Sequence, residues 1–269
     1  MPESRLDAIL TATRYRIARL RSRARDLERQ ASAAPPPRPF AHALGEGGPA
    51  GGVGVIAEVK RRSPSAGAIQ ENLDPVSHAV AYVEGGAVAI SVLTDELHFG
   101  GSLDDLARVA RAVAVPVLRK DFILDEIQLY EARVAGASAI LLIVRALAPD
   151  RLRALGRAAR AQGLAVLVEV HSPSELEVAL GVEPTAVGVN SRDLATFAVD
   201  LDGAERLLAR VPAGVPAIAE SGIATRADVE RMARAGADLV LVGTSVARTE
   251  DPAKAVRGLV GVARKGRLS

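Results

Sequence analysis

From Val53 onward the chain repeats one pattern eight times: a short run of Val, Ile, Leu and Ala, then an amphipathic segment with helical spacing. The runs fall at 53–60, 87–94, 115–120, 138–144, 165–170, 186–190, 216–221 and 239–243. The helical patterns lie near 74–84, 102–113, 125–136, 149–162, 173–180, 201–210, 225–235 and 252–264. Runs that are apolar throughout, without strict alternation, suit strands buried on both faces of a parallel sheet. The segments "AGA" (135–137 and 235–237) and "EGGA" (84–87) supply helix stops just before a strand. Eight β/α units in about 215 residues predict an α/β chain folded as a (β/α)8 TIM barrel. A doubly wound open sheet is the competing architecture, but it would more naturally stop near about five to seven strands.

Before the barrel, Leu6, Leu10, Thr13, Ile17, Leu20, Ala24 and Leu27 recur at three- or four-residue spacing, so residues 4–30 read as a helix. Arg fills much of its other face, a composition that also suits RNA or anionic lipid. Asp7, Asp26 and Glu28 interrupt that charge, which favours a helix packed on the main domain with a solvated cationic face. "ASAAPPPRPF" and "GEGGPAGG" then form a Pro- and Gly-rich connection. The expected division is a helical extension with its connection over 1–50 and a catalytic barrel over 51–269.

Composition narrows the chemistry. There is no Cys, which excludes thiolate catalysis, disulfides and thiolate metal sites. The four His (His42, His78, His98 and His171) are scattered, so no metal is expected, and "GGVGVIA" (51–57) places its glycines before a strand rather than between strand and helix, unlike a dinucleotide fingerprint. The longest apolar runs, such as "AILLIV" (139–144), are too short to span a bilayer. "MPESRLDAIL" shows no basic region followed by an apolar block. A cytoplasmic protein with no membrane or nucleic-acid partner is expected. Of 34 basic residues only Lys60, Lys120, Lys254 and Lys265 are Lys, and Lys60 and Lys120 stand at strand ends, where a compact ammonium differs chemically from guanidinium.

The site of a β/α barrel lies at the C-terminal ends of its strands. Those ends carry Glu58 and Lys60, then Lys120, Glu169, Asn190 with Arg192, Glu220 with Ser221 and Gly222, and finally Gly243 with Thr244 and Ser245. Glu58 and Lys60 are two residues apart and so share a strand face. Charges converging on one mouth need partners, and mutual pairing alone is a poor explanation of the whole set. Gly222 and Gly243 permit backbone N–H groups to approach an anion, and "TSVART" (244–249) offers a short extra helix beside them. A phosphorylated small molecule is the expected ligand. Phe99 and Phe122, two of four Phe, sit beside the mouth as candidate lining.

The segments "EVKRRSPSAG", "SVLTDELHFGGS", "LRKDFILDEIQLYEARVAGASAILLIV", "VEVHS", "GVNSRDLATFAVDL" and "ESGIATRADVERMARAGADLVLVGTSV" resemble, in order, those of the indole-3-glycerol phosphate synthase family. "LDAILTATRYRIARL" is similar to that family's extra N-terminal helix. The resemblance implies decarboxylation, ring closure and dehydration of 1-(2-carboxyphenylamino)-1-deoxyribulose 5-phosphate to indole-3-glycerol phosphate in tryptophan biosynthesis, with no cofactor and no metal. It implies that Lys120 is the general acid, Glu169 the general base, and Lys60 the cation that binds the substrate carboxylate and assists dehydration. Glu58 and Asn190 are implied as orienting partners, Ser63 and Arg192 as polar substrate contacts, and Ser221, Gly222, Gly243 and Thr244 as the phosphate cradle. Ser191, His98 and Thr244 depart from the commoner family pattern and put rim contacts in question.

The residue types suit that chemistry. Ring closure needs a proton donated to a ketone oxygen as the aromatic carbon attacks C2, and an ammonium near its operating pKa donates one. The second lysine is expected to lower its neighbour's pKa by like-charge repulsion. Dehydration needs an acid for the leaving hydroxyl and a base for the ring-nitrogen proton. The rival readings are a phosphoribosylanthranilate isomerase-like barrel, expected to use an acid/base pair commonly including Cys, and a non-catalytic phosphate-ligand sensor. A monomer is expected rather than an obligate oligomer.

Overall fold

The computed structural model describes residues 5–41, 43, 51–64, 67–193 and 196–266. Each apolar run becomes a parallel strand: β1 (Gly54–Val59), β2 (Ala89–Leu93), β3 (Val117–Lys120), β4 (Ala139–Ile143), β5 (Ala165–Val170), β6 (Ala186–Asn190), β7 (Ala217–Glu220) and β8 (Leu239–Val242). They pair in sequence order, and β8 closes on β1, with Ile56 opposite Leu241 on one side and Ala89 on the other. The result is the expected (β/α)8 barrel, preceded by helical segments.

Period-two alternation divides the core into two shells. Val55, Ala57 and Val59 pack outward under the helices. Ile56, Leu118, Leu141, Leu167, Ile218 and Leu239 fill the barrel interior. All six are essentially inaccessible to water, and truncating one such residue to Ala costs about 2–5 kcal/mol. This interior parity also positions the site. Two residues beyond Ile56 comes Glu58, two beyond Leu118 comes Lys120, two beyond Leu167 comes Glu169, and two beyond Ile218 comes Glu220. Apolar residues close the barrel, and the next inward positions carry charge at its open end.

Two helices depart from expectation. The predicted 4–30 helix is broken into Arg5–Leu20, a 3-10 turn at Arg21–Arg23, and Ala24–Ala33. The bend lays the second segment against the helix Ile127–Val134, where Leu27 and Ile17 bury themselves with Ile127. Its cationic face is partly engaged with the barrel: Arg16 forks onto Asp121 at 2.8 and 2.9 Å, and Arg21 lies 3.5 Å from Asp125. The expected 252–264 helix covers only Pro252–Arg257, because Gly258 ends it and Gly261 adopts φ 75° on the way to the Gly52–Ala263 bridge. A two-residue hairpin, Arg62–Ser63 with Gly67–Ala68, was not expected. Most of "GEGGPAGG", and with it the proposed boundary at residue 50, lies outside the described residues. Among the described residues no helix is long and apolar enough to cross a membrane.

Candidate active site

At the C-terminal mouth the barrel opens into a cavity of about 500 Å³, and every residue singled out as a site candidate in the sequence lines it. Glu58 and Lys60 form the tightest pair, with Oε1 2.6 Å from Nζ. Lys120 Nζ stands 3.8 Å from the other Glu58 oxygen, 3.9 Å from Glu169 Oε2 and 3.6 Å from Glu220 Oε2. The three carboxylates are buried and come from β1, β5 and β7, so one ammonium on β3 is bracketed from three strands.

That bracket gives Lys120 a net shift opposite to the expected one. Burial works against the Lys120 charge, but Glu220, Glu58 and Glu169 outweigh it and raise its pKa above the ordinary lysine range. Burial likewise opposes the Glu58 carboxylate, yet Lys60 and Lys120 together hold its pKa down. Glu220 goes the other way. Burial dominates, Lys120 offsets part of it, Glu169 and Glu58 add repulsion, and the pKa rises to about 8. Among the described residues neither Glu220 oxygen has a partner within hydrogen-bond distance, and Lys120 at 3.6 Å is its closest cation. A carboxyl so placed is held in its neutral form near pH 7.

Glycine makes the room. A Cβ on Gly188 would collide with Glu220 Oε1, so the small residue in "VGVN" is a space for a carboxylate on the neighbouring strand. Sequence reasoning passed over Gly188, although an isolated glycine inside a strand pattern marks such close approaches. Gly243 has a related role in addition to the one expected. Its φ is −132°, and a Cβ there would lie 2.6 Å from Glu58 Oε1 and 3.0 Å from Lys60 Nζ. The glycine spares the acid–base pair directly.

Other candidates divide by what they touch. Phe99 and Phe122 tilt against each other with centroids 6.4 Å apart, making one apolar wall. Asn190 turns Oδ1 to the Arg192 backbone N–H at 3.0 Å and so braces the β6 turn. Arg192 Nη1 donates to the Phe197 carbonyl at 3.0 Å. Ser221 and Gly222 both take positive φ, 68° and 72°, and Ser191 Oγ donates to the Ser221 carbonyl at 3.0 Å. Ser191 thus braces a strained turn that for Ser221 costs about 1–3 kcal/mol. The expected short helix forms at Thr244–Ala247. His98 turns to Asp95, with its backbone N–H 2.7 Å from Oδ1, and does not line the cavity.

One supporting network was not anticipated. Arg119, with no exposed surface, donates to Thr94 Oγ1, the Gln128 carbonyl, Asp121 and Glu131. Asp121 in turn receives Arg16, Thr94 and the Phe122 N–H. Both chain neighbours of Lys120 are therefore held by buried ion pairs, and removing any one partner leaves a buried charge less compensated.

A closed parallel barrel with two ammoniums and three carboxylates at its C-terminal mouth has the architecture of a (β/α)8 enzyme, with acid and base groups gathered where such barrels hold their substrates. The sequence profile of the indole-3-glycerol phosphate synthase family matches residues 6–259, and the chain belongs to that family. It is 49% identical over 231 residues to indole-3-glycerol phosphate synthase 2 of Streptomyces coelicolor, covering 86% of this chain and 88% of that one. It is 46% identical over 259 residues to the indole-3-glycerol phosphate synthase of Koribacter versatilis, covering 96% and 99%. Among solved structures, 3-hexulose-6-phosphate synthase from Salmonella typhimurium matches the fold, with a TM-score of 0.62 at 17% identity, over 77% of this chain and 96% of that one.

Proposed function

We propose that the chain converts 1-(2-carboxyphenylamino)-1-deoxyribulose 5-phosphate into indole-3-glycerol phosphate, CO2 and water. Lys120 is the general acid that protonates the ketone oxygen as the aromatic carbon attacks C2. Lys60, aligned by Glu58, holds the substrate carboxylate and then protonates the departing hydroxyl. Glu169 removes a proton from the ring intermediate. Two protons enter and one leaves, which balances the loss of a carboxylate as neutral CO2. The apolar wall of Phe99 and Phe122 stands against the aromatic ring, where low polarity favours exchanging a charged carboxylate for CO2.

The observation that carries this reading is Lys120 within 4 Å of Glu58, Glu169 and Glu220. The three carboxylates keep Lys120 charged, so its proton is in place, and the acceptor, a ketone oxygen becoming an alkoxide, grows more basic than the amine as the new bond forms. Glu220, neutral near pH 7 and 3.6 Å away, is the group that returns a proton to Lys120. Ser221, Gly222, Gly243 and Thr244 hold the phosphate through backbone N–H groups at the ends of β7 and β8. The acid–base cluster is complete within one chain, which fits action as a monomer. Incubating the protein with the carboxyphenylamino substrate tests the reading: indole fluorescence and CO2 should rise in equal amounts, and substrate bound without either product would overturn it. A sulfate soak should place the anion at the ends of β7 and β8; occupancy only elsewhere would overturn the cradle.

A further inference from the structure

Glu169 has two differently placed oxygens. Oε2 faces Lys120, while Oε1 is buried and lies 3.4 Å from His171 Nε2. Among the described residues neither Glu169 Oε1 nor the buried His171 Nε2 has a hydrogen-bond partner. The two residues share a face because they are two apart. On the other side of the ring, Glu175 Oε2 accepts the His171 backbone N–H at 2.7 Å and lies 3.3 Å from Nδ1. Glu175 Oε1 accepts from Arg145 Nε at 2.6 Å, and Arg145 Nη1 reaches Asp193 at 3.0 Å. With Lys120 beyond Glu169, these are the charged groups around the ring.

Burial opposes the Glu175 charge, but His171 and Arg145 outweigh it and bring its pKa down to about 2. The Nδ1 contact to Glu175 has hydrogen-bond geometry and the Nε2 contact to Glu169 does not, so a single ring proton belongs on Nδ1, facing a carboxylate that only accepts, and Nε2 is left as an acceptor. Two acceptors then face each other across 3.4 Å. They make a hydrogen bond only after one proton is added, and that is what a general base at Glu169 gains during turnover.

We infer that His171 is a positioning residue for Glu169, sharing the proton that Glu169 removes from the ring intermediate and keeping it from returning. The inference rests on Glu169 being the general base. In the step, the bond between the intermediate and that proton breaks, and its electron pair stays on the substrate as the protonated hydroxyl leaves as water. An O–H bond forms at Glu169 Oε2, the oxygen on the Lys120 side, and a half-turn of the carboxyl brings that O–H to His171 Nε2. Glu175 stabilises the imidazolium form from the opposite side, and the proton passes to water when product departs.

Steady-state kinetics on full-length His171→Asn, Glu175→Gln and Glu169→Gln, from about pH 5 to about pH 9, test this. His171→Asn should lower kcat about 10- to 100-fold with KM within about twofold, and free imidazole should restore part of the loss. The acidic limb of the kcat profile should move in both His171→Asn and Glu175→Gln. Unmoved limbs with near-wild-type kcat in both, beside an inactive Glu169→Gln, overturn the shared proton and leave the base assignment standing. Near-wild-type kcat in Glu169→Gln overturns the base assignment, and the inference with it. If His171→Asn does not fold, 15N NMR of the unaltered protein decides: a ring proton on Nδ1 near neutral pH supports the inference, and one on Nε2 overturns it.

Discussion

Glu58 holds Lys60 at 2.6 Å with one carboxylate oxygen and turns the other toward Lys120 at 3.8 Å. A single buried acid therefore sets the distance between the two ammoniums of the site. The pairing follows from inward parity on β1, continued two residues past Ile56 and then two more. Gly243 preserves it by leaving space where any side chain would meet both partners.

Gly188→Ala tests the space kept for Glu220. The added methyl collides with Glu220 Oε1, so that carboxyl must shift, and overpacking of this kind costs about 1–3 kcal/mol. Urea unfolding should show that loss, and kcat should fall because Glu220 is pushed toward Lys120. Wild-type stability together with wild-type kcat would mean that Glu220 has another resting place.

Glu220→Gln tests its titration. The folded pKa, about 8, lies above the ordinary 4.5, so the folded state keeps a proton that the unfolded chain has lost between those values. Stability is complete below the lower pKa and declines as pH rises through about 8. Gln carries no such penalty, so the melting temperature of the variant minus that of the parent should grow from about pH 5 to about pH 9. A flat difference would show that Glu220 does not titrate in this window.

Arg16→Met tests the link between the N-terminal helix and the Lys120 strand. Asp121 keeps Arg119 but loses a bidentate partner, for an expected loss of about 1–3 kcal/mol. Burial opposes the Asp121 charge, and Arg119 and Arg16 outweigh it to lower its pKa. The stabilisation is present above the ordinary value of 3.8 and lost as pH falls through the depressed one. The Arg16→Met deficit, read by denaturant unfolding, should shrink in acid; a deficit independent of pH would place the effect in packing alone.

The barrel was legible because each unit carried its own signals. β5 and β6 start and stop where their apolar runs do, and Gly-bearing stops separate helix from strand. Glu58, Lys120, Glu169 and Glu220 were legible because strand parity and the C-terminal-end rule place them together. The break at Arg21–Arg23 was not, since the periodicity of 4–30 continues through it and the bend answers to a distant partner, Ile127. The direction of the Lys120 shift was also hidden. It depends on three carboxylates from three strands, whose distances no local pattern encodes. Gly188, Asp121 and Arg16 act through neighbours that are remote in sequence.

Lys120→Met is the measurement closest to the central claim. It removes the proton donor and leaves the cradle and the apolar wall in place. With the carboxyphenylamino substrate, kcat should fall about 10²–10⁴-fold, while the dissociation constant measured by calorimetry changes by less than about tenfold. A variant that turns over at the parental rate, or one that loses binding and kcat together in equal measure, would contradict Lys120 as the general acid.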